Sequence, residues 1–236
     1  MCGRYTLSFN ELQELEDFLN AVDKSKTPYS LDEYTEEGVF ANFNVAPTQR
    51  MPVAYVNDDG ERVIEAMSWG FIGWKPKAGQ KSFAPINTRD DSLTKKPMWT
   101  KAFQQRRCLV PMMGFYEWKG SKGNKTPFYI RDKDGKLLAT AGLFSTINVE
   151  GMEGIPTYSV ITTRPNELME DIHDRMPAFL HPSEFDDWLN PVHTDDYLLD
   201  LLRPYPDDAL EAQIVSKEVG NVRNNHPGLI QKAGLF

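Results

Sequence analysis

The chain of 236 residues is 40% hydrophobic, 25% charged and 11% aromatic, which is typical of a folded globular protein and excludes global disorder. No apolar run reaches the roughly 18 residues that a membrane-spanning helix needs. The first residues also lack the apolar stretch of a secretory signal. The sequence therefore predicts one domain over residues 1–236, located in the cytoplasm with no membrane partner.

Charge is distributed unevenly along the chain. The net charge is −8, yet residues 75–136 hold 15 Lys and Arg against 5 Asp and Glu, whereas residues 151–212 hold 3 against 14. A local basic patch, rather than net charge, decides whether a phosphate backbone is attracted. From charge alone, the basic block is compatible with nucleic-acid binding and equally with a solvated lysine-rich face.

The first predicted element is a helix. Ser8 followed by Glu11 has the pattern of a capping box. Apolar residues then recur at helical spacing, at Leu12, Leu15, Leu19 and Val22. The pattern predicts a helix of about three to four turns.

Two pairs of strands are predicted further along the chain. Residues 51–56 and 63–69 flank an Asn-Asp-Asp-Gly turn, and residues 128–131 and 137–144 flank a turn that contains Lys-Asp-Gly. Turns of this composition between apolar runs are typical of β-hairpins. Each pair is therefore predicted to form a hairpin.

The C-terminal third combines a strand with short helices. Residues 157–163 are β-branched and apolar, which predicts a buried strand. Pro165 suits the first turn of a short helix ending near His173, and residues 183–189 and 195–202 have the patterns of two more. Together the elements predict an α+β fold with a mainly antiparallel, barrel-like β core and peripheral helices.

Cys2 is the residue with the most distinctive chemistry. Removal of Met1 would leave it with a free α-amine and a thiol, whose unperturbed pKa values are about 7.7–8.0 and about 8.5. The amine can condense with an aldehyde to an imine, and the thiol can then close on the imine carbon to give a thiazolidine ring. Cys108 has an amide nitrogen instead and precedes an apolar strand, so a structural role is predicted for it.

Three polar residues stand in short motifs elsewhere: Asn87 in PINTR, Glu117 in GFYEW and His173 in IHDRMP. Each has an ordinary structural interpretation. Asn87 would be a turn residue after a proline, Glu117 an exposed position on a strand, and His173 a cap at a helix C-terminus. No one of these motifs assigns a function by itself.

Taken together, the motifs resemble the SOS response-associated peptidase family. The matching segments occur in family order over nearly the whole chain: MCGRY (1–5), FNVAPT (43–48), WGFIGW (69–74), INTR (86–89), GFYEW (114–118), VITT (160–163), IHDRMP (172–177) and VGNVRN (219–224). The resemblance implies a single α+β domain with a barrel-like core. It also implies a covalent thiazolidine crosslink to abasic sites in single-stranded DNA, which shields the lesion.

The resemblance further implies roles for individual catalytic residues. Cys2 is the crosslinking nucleophile, Glu117 and His173 exchange protons, and Asn87 hydrogen-bonds the cysteine and the lesion. Family members remove their own Met1, which implicates Cys2, Asn87 and Glu117 in a peptidase-like step in addition to the lyase-like Schiff-base chemistry.

DNA contacts are implied in the same way. Arg4, Arg89 and Arg175 match residues that hold phosphates beside the lesion, and Trp74 matches an aromatic wedge that stacks on a neighbouring base. The predicted binding groove is completed by Asn44, Pro47, Lys75 and Thr162. Lys75 stands where many relatives have a second aromatic residue, so a phosphate contact would replace stacking there.

Other classes of function remain open at this point. Class II glutamine amidotransferases also expose a cysteine directly after Met1, and there Cys2 would attack an amide with its own α-amine as base. A module that binds single-stranded DNA without covalent chemistry, or a protease acting on other proteins, are further alternatives. The sequence predicts a monomer without a cofactor or metal site, associated with the nucleoid when bound to DNA.

Overall fold

The computed structural model describes residues 2–25, 40–75, 83–121, 123–147 and 154–234. In chain order the described strands are β1 (Tyr5–Phe9), β2 (Val22–Asp23), β3 (Phe40–Val45), β4 (Arg50–Val56), β5 (Arg62–Trp69), β6 (Asn87–Arg89), β7 (Arg107–Met112), β8 (Gly114–Ser121), β9 (Asn124–Asp132), β10 (Leu138–Ser145), β11 (Thr157–Thr163), β12 (Met176–Pro177), β13 (Phe179–Leu180) and β14 (Leu210–Ile214). The described α-helices are α1 (Leu12–Leu19), α2 (Pro97–Gln105), α3 (Glu167–Glu170), α4 (Phe185–Leu189) and α5 (Asp195–Asp200).

The strands form two sheets. One is antiparallel and has the order β14-β9-β8-β1-β3. The other follows the path β12-β11-β10-β7-β4-β5-β2, with β13 added on β10 and β6 on β11. Because β11 also pairs with β5, the strands β5, β4, β7, β10 and β11 close into a ring. The predicted α+β fold with a mainly antiparallel, barrel-like core is confirmed.

One hydrophobic core joins the two sheets. Every residue of β7, β10 and β11 is buried, as expected for strands covered on both faces. Tyr5 of the antiparallel sheet packs edge-on against Trp69, with ring centroids 5.1 Å apart. Its hydroxyl also lies 2.7 Å from the hydroxyl of Tyr158 on β11. The start of the chain is thereby fastened to the ring.

The first predicted hairpin is confirmed and the second is wrong. Strands β4 and β5 pair antiparallel along their whole lengths. Residues 128–131, by contrast, lie in β9, which pairs with β8 and β14 in the antiparallel sheet. The strand predicted at residues 137–144 is β10, which pairs with β7, β11 and β13 in the ring. The turn between β9 and β10 carries the chain from one sheet to the other, because each of these strands pairs with other strands along its length.

Helix α1 is shorter than predicted, and the predicted capping box is wrong. Ser8 belongs to β1, where it pairs with Ala41, so it does not cap the helix. The helix begins at Leu12 and ends where Asn20 takes a left-handed conformation (φ 48°). Val22 lies beyond it in β2 and is 58% exposed.

The C-terminal elements agree better with the sequence patterns. The predicted buried strand is β11, and the last two predicted helices correspond to α4 and α5. Pro165 precedes α3 instead of opening it, because Asn166 is the cap, and its Oδ1 accepts a hydrogen bond from the Met169 N–H (3.1 Å). No helix in the described residues is long and apolar enough to cross a membrane.

Candidate active site

Strand β1 carries the N-terminus to the middle of the molecule. It lies between β3 and β8, so Cys2, which just precedes it, is brought beside β8. The Arg4 carbonyl continues this pairing by accepting a hydrogen bond from the Tyr116 N–H at 3.0 Å. The Cys2 side chain is 1% exposed, and its Sγ donates to the same carbonyl at 3.6 Å. Cys2 is therefore held in one place rather than at a loose chain end.

Asn87 reaches Cys2 from the ring sheet. Strand β6 runs parallel to β11, with Asn87 opposite Val160, and the preceding Ile86 carbonyl accepts hydrogen bonds from the Trp69 indole (2.9 Å) and the Val160 N–H (3.0 Å). The Asn87 Nδ2 donates to the Cys2 carbonyl at 2.7 Å. Its Oδ1 is buried and has no hydrogen-bond partner among the described residues. One acceptor therefore remains available beside the backbone of Cys2.

A carboxylate and an imidazole complete the group. Glu117, on β8, is 3% exposed, so the exposed position that its motif allowed is excluded. His173 lies in the turn after α3, with its Nε2 4.0 Å from a Glu117 carboxylate oxygen. Its Nδ1 accepts a hydrogen bond from the Arg175 N–H at 3.1 Å and lies 2.8 Å from an Asp174 carboxylate oxygen. The structure thus brings Cys2, Asn87, Glu117 and His173 together from four separate segments.

Burial sets the protonation state of the thiol. Removal from water raises the pKa of Cys2 far above its usual range, and the negative charge of Glu117 raises it further. The thiol is therefore protonated at neutral pH. A proton must be removed before the sulfur can act as a nucleophile.

The three predicted phosphate-binding arginines lie in different environments. Arg4 is half-buried and donates to the Gly3 carbonyl at 3.0 Å, and desolvation lowers its pKa. Arg175 is 8% exposed and contacts an Asp90 carboxylate oxygen at 2.6 Å. The Nε atoms of Arg4 and Arg175 are both buried without a hydrogen-bond partner among the described residues.

Arg89 lies on the surface. Its guanidinium contacts both carboxylate oxygens of Asp91, at 3.1 and 2.6 Å, and this pairing raises the pKa of Arg89. Arg89 is thus paired with Asp91 and Arg175 with the neighbouring Asp90.

Asn44 and Thr162 lie beneath the surface instead of on it. The Asn44 amide donates to the carbonyls of Val219, Asn221 and Asn224, at 3.3, 3.0 and 3.0 Å, and so holds the C-terminal segment against β3. Thr162 is fully buried, and its hydroxyl donates to the Thr88 carbonyl at 3.4 Å. Both side chains are therefore engaged in bonds within the protein, Asn44 with the C-terminal segment and Thr162 with β6. The neighbouring Pro47 is half-buried.

Two exposed aromatic residues, Trp74 and Phe83, precede β6 in the chain. Trp74 is 52% exposed and Lys75 is also exposed, whereas Trp69 is fully buried. Phe83, four residues before Asn87, is 64% exposed. Phe83 belongs to none of the motifs that point to DNA contacts, although a single phenylalanine within a polar stretch was the available signal.

No group of three or more His, Cys, Asp or Glu side chains among the described residues is arranged to hold a metal ion. The fold, the cysteine at position 2 and the polar residues around it agree with one protein family. Residues 1–222 match SOS response associated peptidase (SRAP), and the chain belongs to this family.

Similar proteins extend over the same length. The chain is 39% identical to Abasic site processing protein YoqW of Bacillus subtilis (strain 168), over 98% of this chain and 99% of the relative. It is 31% identical to Abasic site processing protein HMCES of Xenopus tropicalis, over 96% of this chain and 77% of the relative. A crystal structure of a protein from Bacteroides thetaiotaomicron is 26% identical, with a TM-score of 0.69 over 81% of this chain and 85% of that one.

Proposed function

We propose that this protein processes abasic sites in single-stranded DNA by forming a thiazolidine between Cys2, freed of Met1, and the aldehyde of the ring-opened deoxyribose. The names of the relatives support the substrate class. The observation that carries the proposal is the Asn87 hydrogen bond to the Cys2 carbonyl, beside the buried Glu117 and the half-buried His173. A nucleophile, an orienting amide and two groups able to move protons are thereby held together.

The reaction begins with the closed sugar. Its hemiacetal hydroxyl loses a proton while the ring oxygen gains one, the bond between that oxygen and C1′ breaks, and the aldehyde is released. The Cys2 amine adds to the aldehyde carbon, and loss of one water molecule gives an imine. The thiol sulfur then bonds to the imine carbon, and the nitrogen takes up the proton released by the thiol. The overall change is one molecule of water lost.

The protonated thiol favours this order of steps. Because burial and Glu117 keep the sulfur protonated, the amine attacks first and the thiol closes the ring second. Glu117 and His173 are the proton carriers for ring opening, dehydration and closure. The available Oδ1 of Asn87 would accept a hydrogen bond from the Cys2 amine or a lesion hydroxyl.

The phosphate groups would bind on both sides of Cys2. Arg4 and Arg175 each have a buried Nε without a partner in the described part of the chain, as expected where a ligand supplies the acceptor. Arg89 would exchange Asp91 for a phosphate. Trp74 and Phe83 are exposed enough to stack on bases, and Lys75 would add a phosphate contact. Buried Asn44 and Thr162, with half-buried Pro47, support this groove.

Met1 removal is the second part of the proposal. An internal Cys2 has an amide nitrogen, which cannot form an imine, so the crosslink requires cleavage of the bond between residues 1 and 2. We propose that, with Asn87 and Glu117 assisting, the Cys2 thiol gives up its proton and its sulfur bonds to the Met1 carbonyl carbon. The bond from that carbon to the Cys2 nitrogen then breaks as the nitrogen takes up a proton, and water hydrolyses the resulting thioester, which releases methionine and restores the thiol.

The test uses purified full-length protein and single-stranded DNA with one abasic site. We expect a heat-stable shifted band on a denaturing gel without borohydride, and an intact mass lacking methionine. Glu117→Gln with Met1 retained would place Glu117 in the cleavage step. A protein without Met1 that forms no band would contradict the covalent proposal, leaving glutamine hydrolysis and non-covalent DNA binding to be assayed on the same sample.

A further inference from the structure

The β8–β9 hairpin extends beyond the candidate site as an outer arm, defined here as residues 118–121 and 124–127. Glu117 pairs with Phe128, Lys119 with Thr126, and the pairing continues to the end of the arm. Residues two apart on a strand, and residues directly opposite each other on paired strands, face the same side. Lys119 therefore lies on the face of β8 that carries Glu117, about 7 Å further out along the strand.

The two faces of the outer arm differ in chemistry. The Glu117 face carries a lysine, two hydroxyls and an amide, from Lys119, Ser121, Asn124 and Thr126. All are sequence-neutral donors to phosphate oxygens. The opposite face carries Trp118 and Pro127 and leads to the aromatic pair Tyr116 and Tyr129, which packs with the C-terminal segment. Lys125, opposite Gly120, belongs to this second face.

Lys119 also differs from Arg89 and Arg175 in its charged neighbours. Arg89 and Arg175 must exchange Asp91 and Asp90 for a phosphate, which offsets part of the gain. Lys119 is exposed and makes no ion pair with any residue that the structure describes. A phosphate at Lys119 would displace only water and counterions.

We propose that the Glu117 face of the outer arm is a further binding surface for the DNA backbone, with Lys119 as its phosphate contact. The inference rests on the proposed function, since it requires a single strand that enters the site beside Glu117. The surface recognises backbone charge alone, so it adds affinity without preference for base sequence.

The test compares Lys119→Gln with Lys125→Gln, two exposed lysines on opposite faces of one hairpin. Binding of a fluorescein-labelled oligothymidylate without a lesion is followed by anisotropy at several salt concentrations. Lys119→Gln should weaken binding about threefold to tenfold, and should reduce the slope of log K against log salt by roughly 0.7, the value for one lost contact to single-stranded DNA. Lys125→Gln should leave both quantities unchanged. Thermal unfolding of both variants checks that the fold is intact.

The outcomes separate this proposal from the covalent one. Equal losses in the two variants would mean a general effect of net charge and would overturn the surface, as would no loss in Lys119→Gln or no oligothymidylate binding by the unmodified protein. The same proteins are then given abasic-site DNA. Weaker oligothymidylate binding in Lys119→Gln alone supports the binding surface even when no crosslink forms. A crosslink without that weaker binding supports only the covalent reaction of Cys2.

Discussion

The regions around Cys2 and Cys108 place the same side chain in two different settings. Both thiols are buried, and burial raises the pKa of both. Cys108 is the second residue of β7, where its carbonyl accepts the Trp188 indole hydrogen bond (2.9 Å) and its sulfur fills the space above Gly142. Cys2 lies beside Asn87 and Glu117 instead. The pKa of the thiol therefore does not distinguish the two cysteines. They differ in their polar neighbours and in the α-amine that only Cys2 can expose once Met1 is removed.

The largest expected effect comes from removing each sulfur in turn. Cys2→Ala should abolish the heat-stable crosslink, whereas Cys108→Ala should retain it, because only Cys2 can present an amine and a thiol together. When Met1 has been removed from Cys2→Ala by independent means, borohydride should restore a crosslink by reducing the imine that the free amine of residue 2 still forms. Denaturing gels measure all three reactions, and loss of the crosslink in Cys108→Ala alone would reverse the assignment.

The next effect tests the neighbours that Cys108 lacks. Glu117→Gln and His173→Gln should each slow crosslinking by about 10²- to 10⁴-fold, the usual contribution of a positioned proton carrier. Single-turnover rates are measured with saturating protein that has lost Met1 by independent means. Affinity for a tetrahydrofuran abasic analogue serves as the control and should change little. A rate equal to that of the unmodified protein would remove the residue from the mechanism.

A smaller effect is expected from the exposed Trp74. Trp74→Ala should weaken binding of single-stranded DNA by about 1–3 kcal/mol, the value of one stacked base, with little change in stability because the side chain is 52% exposed. Tyr197→Ala removes another exposed aromatic residue, on α5, and should leave DNA affinity unchanged. Equal losses in the two variants would argue against stacking at Trp74.

The last effect concerns what the two thiols share, the pH dependence of stability. The folded chain keeps both thiols protonated, whereas the unfolded chain loses these protons above a pKa of about 8.5. The free energy of unfolding should therefore fall as pH rises above that value, by up to about 1.4 kcal/mol per pH unit for each thiol. Cys108→Ala should remove one thiol's share of this slope. Urea unfolding between pH 8 and 10 measures it, and identical slopes would contradict the linkage.

Local sequence predicted the elements whose partners are close along the chain. The β4–β5 hairpin is an example, because its turn supplies Gly60 with the positive φ (80°) that reverses the chain. The failed hairpin between β9 and β10 has an equally good turn, but β9 pairs with the preceding strand β8 and β10 pairs with β7 instead. Ser8 is similar, since pairing with Ala41 displaced its capping role. Turn chemistry indicates where a chain bends but not which strands meet.

The candidate site divides in the same way. Short motifs and family resemblance identified Cys2, Asn87, Glu117 and His173, which the structure brings together. They did not identify how the residues are held, because Asn87 and Cys2 are 85 positions apart. They also gave no sign that Asn44 would be buried by carbonyls of the C-terminal segment, or that Arg175 would be paired with Asp90. Such contacts depend on tertiary packing, which a local pattern does not contain.

The bonds around the N-terminus have a consequence for the order of folding. The Tyr5–Tyr158 contact spans 153 positions, and the bond from the Phe43 N–H to Asn225 spans 182. Contacts of such separation form late, because long loops must close first. The pocket around Cys2 includes Asn87, Glu117 and His173, so during synthesis on the ribosome it cannot be complete before the chain has grown past residue 173. Self-cleavage of Met1 that uses Asn87 and Glu117 would have to wait for the synthesis of both residues.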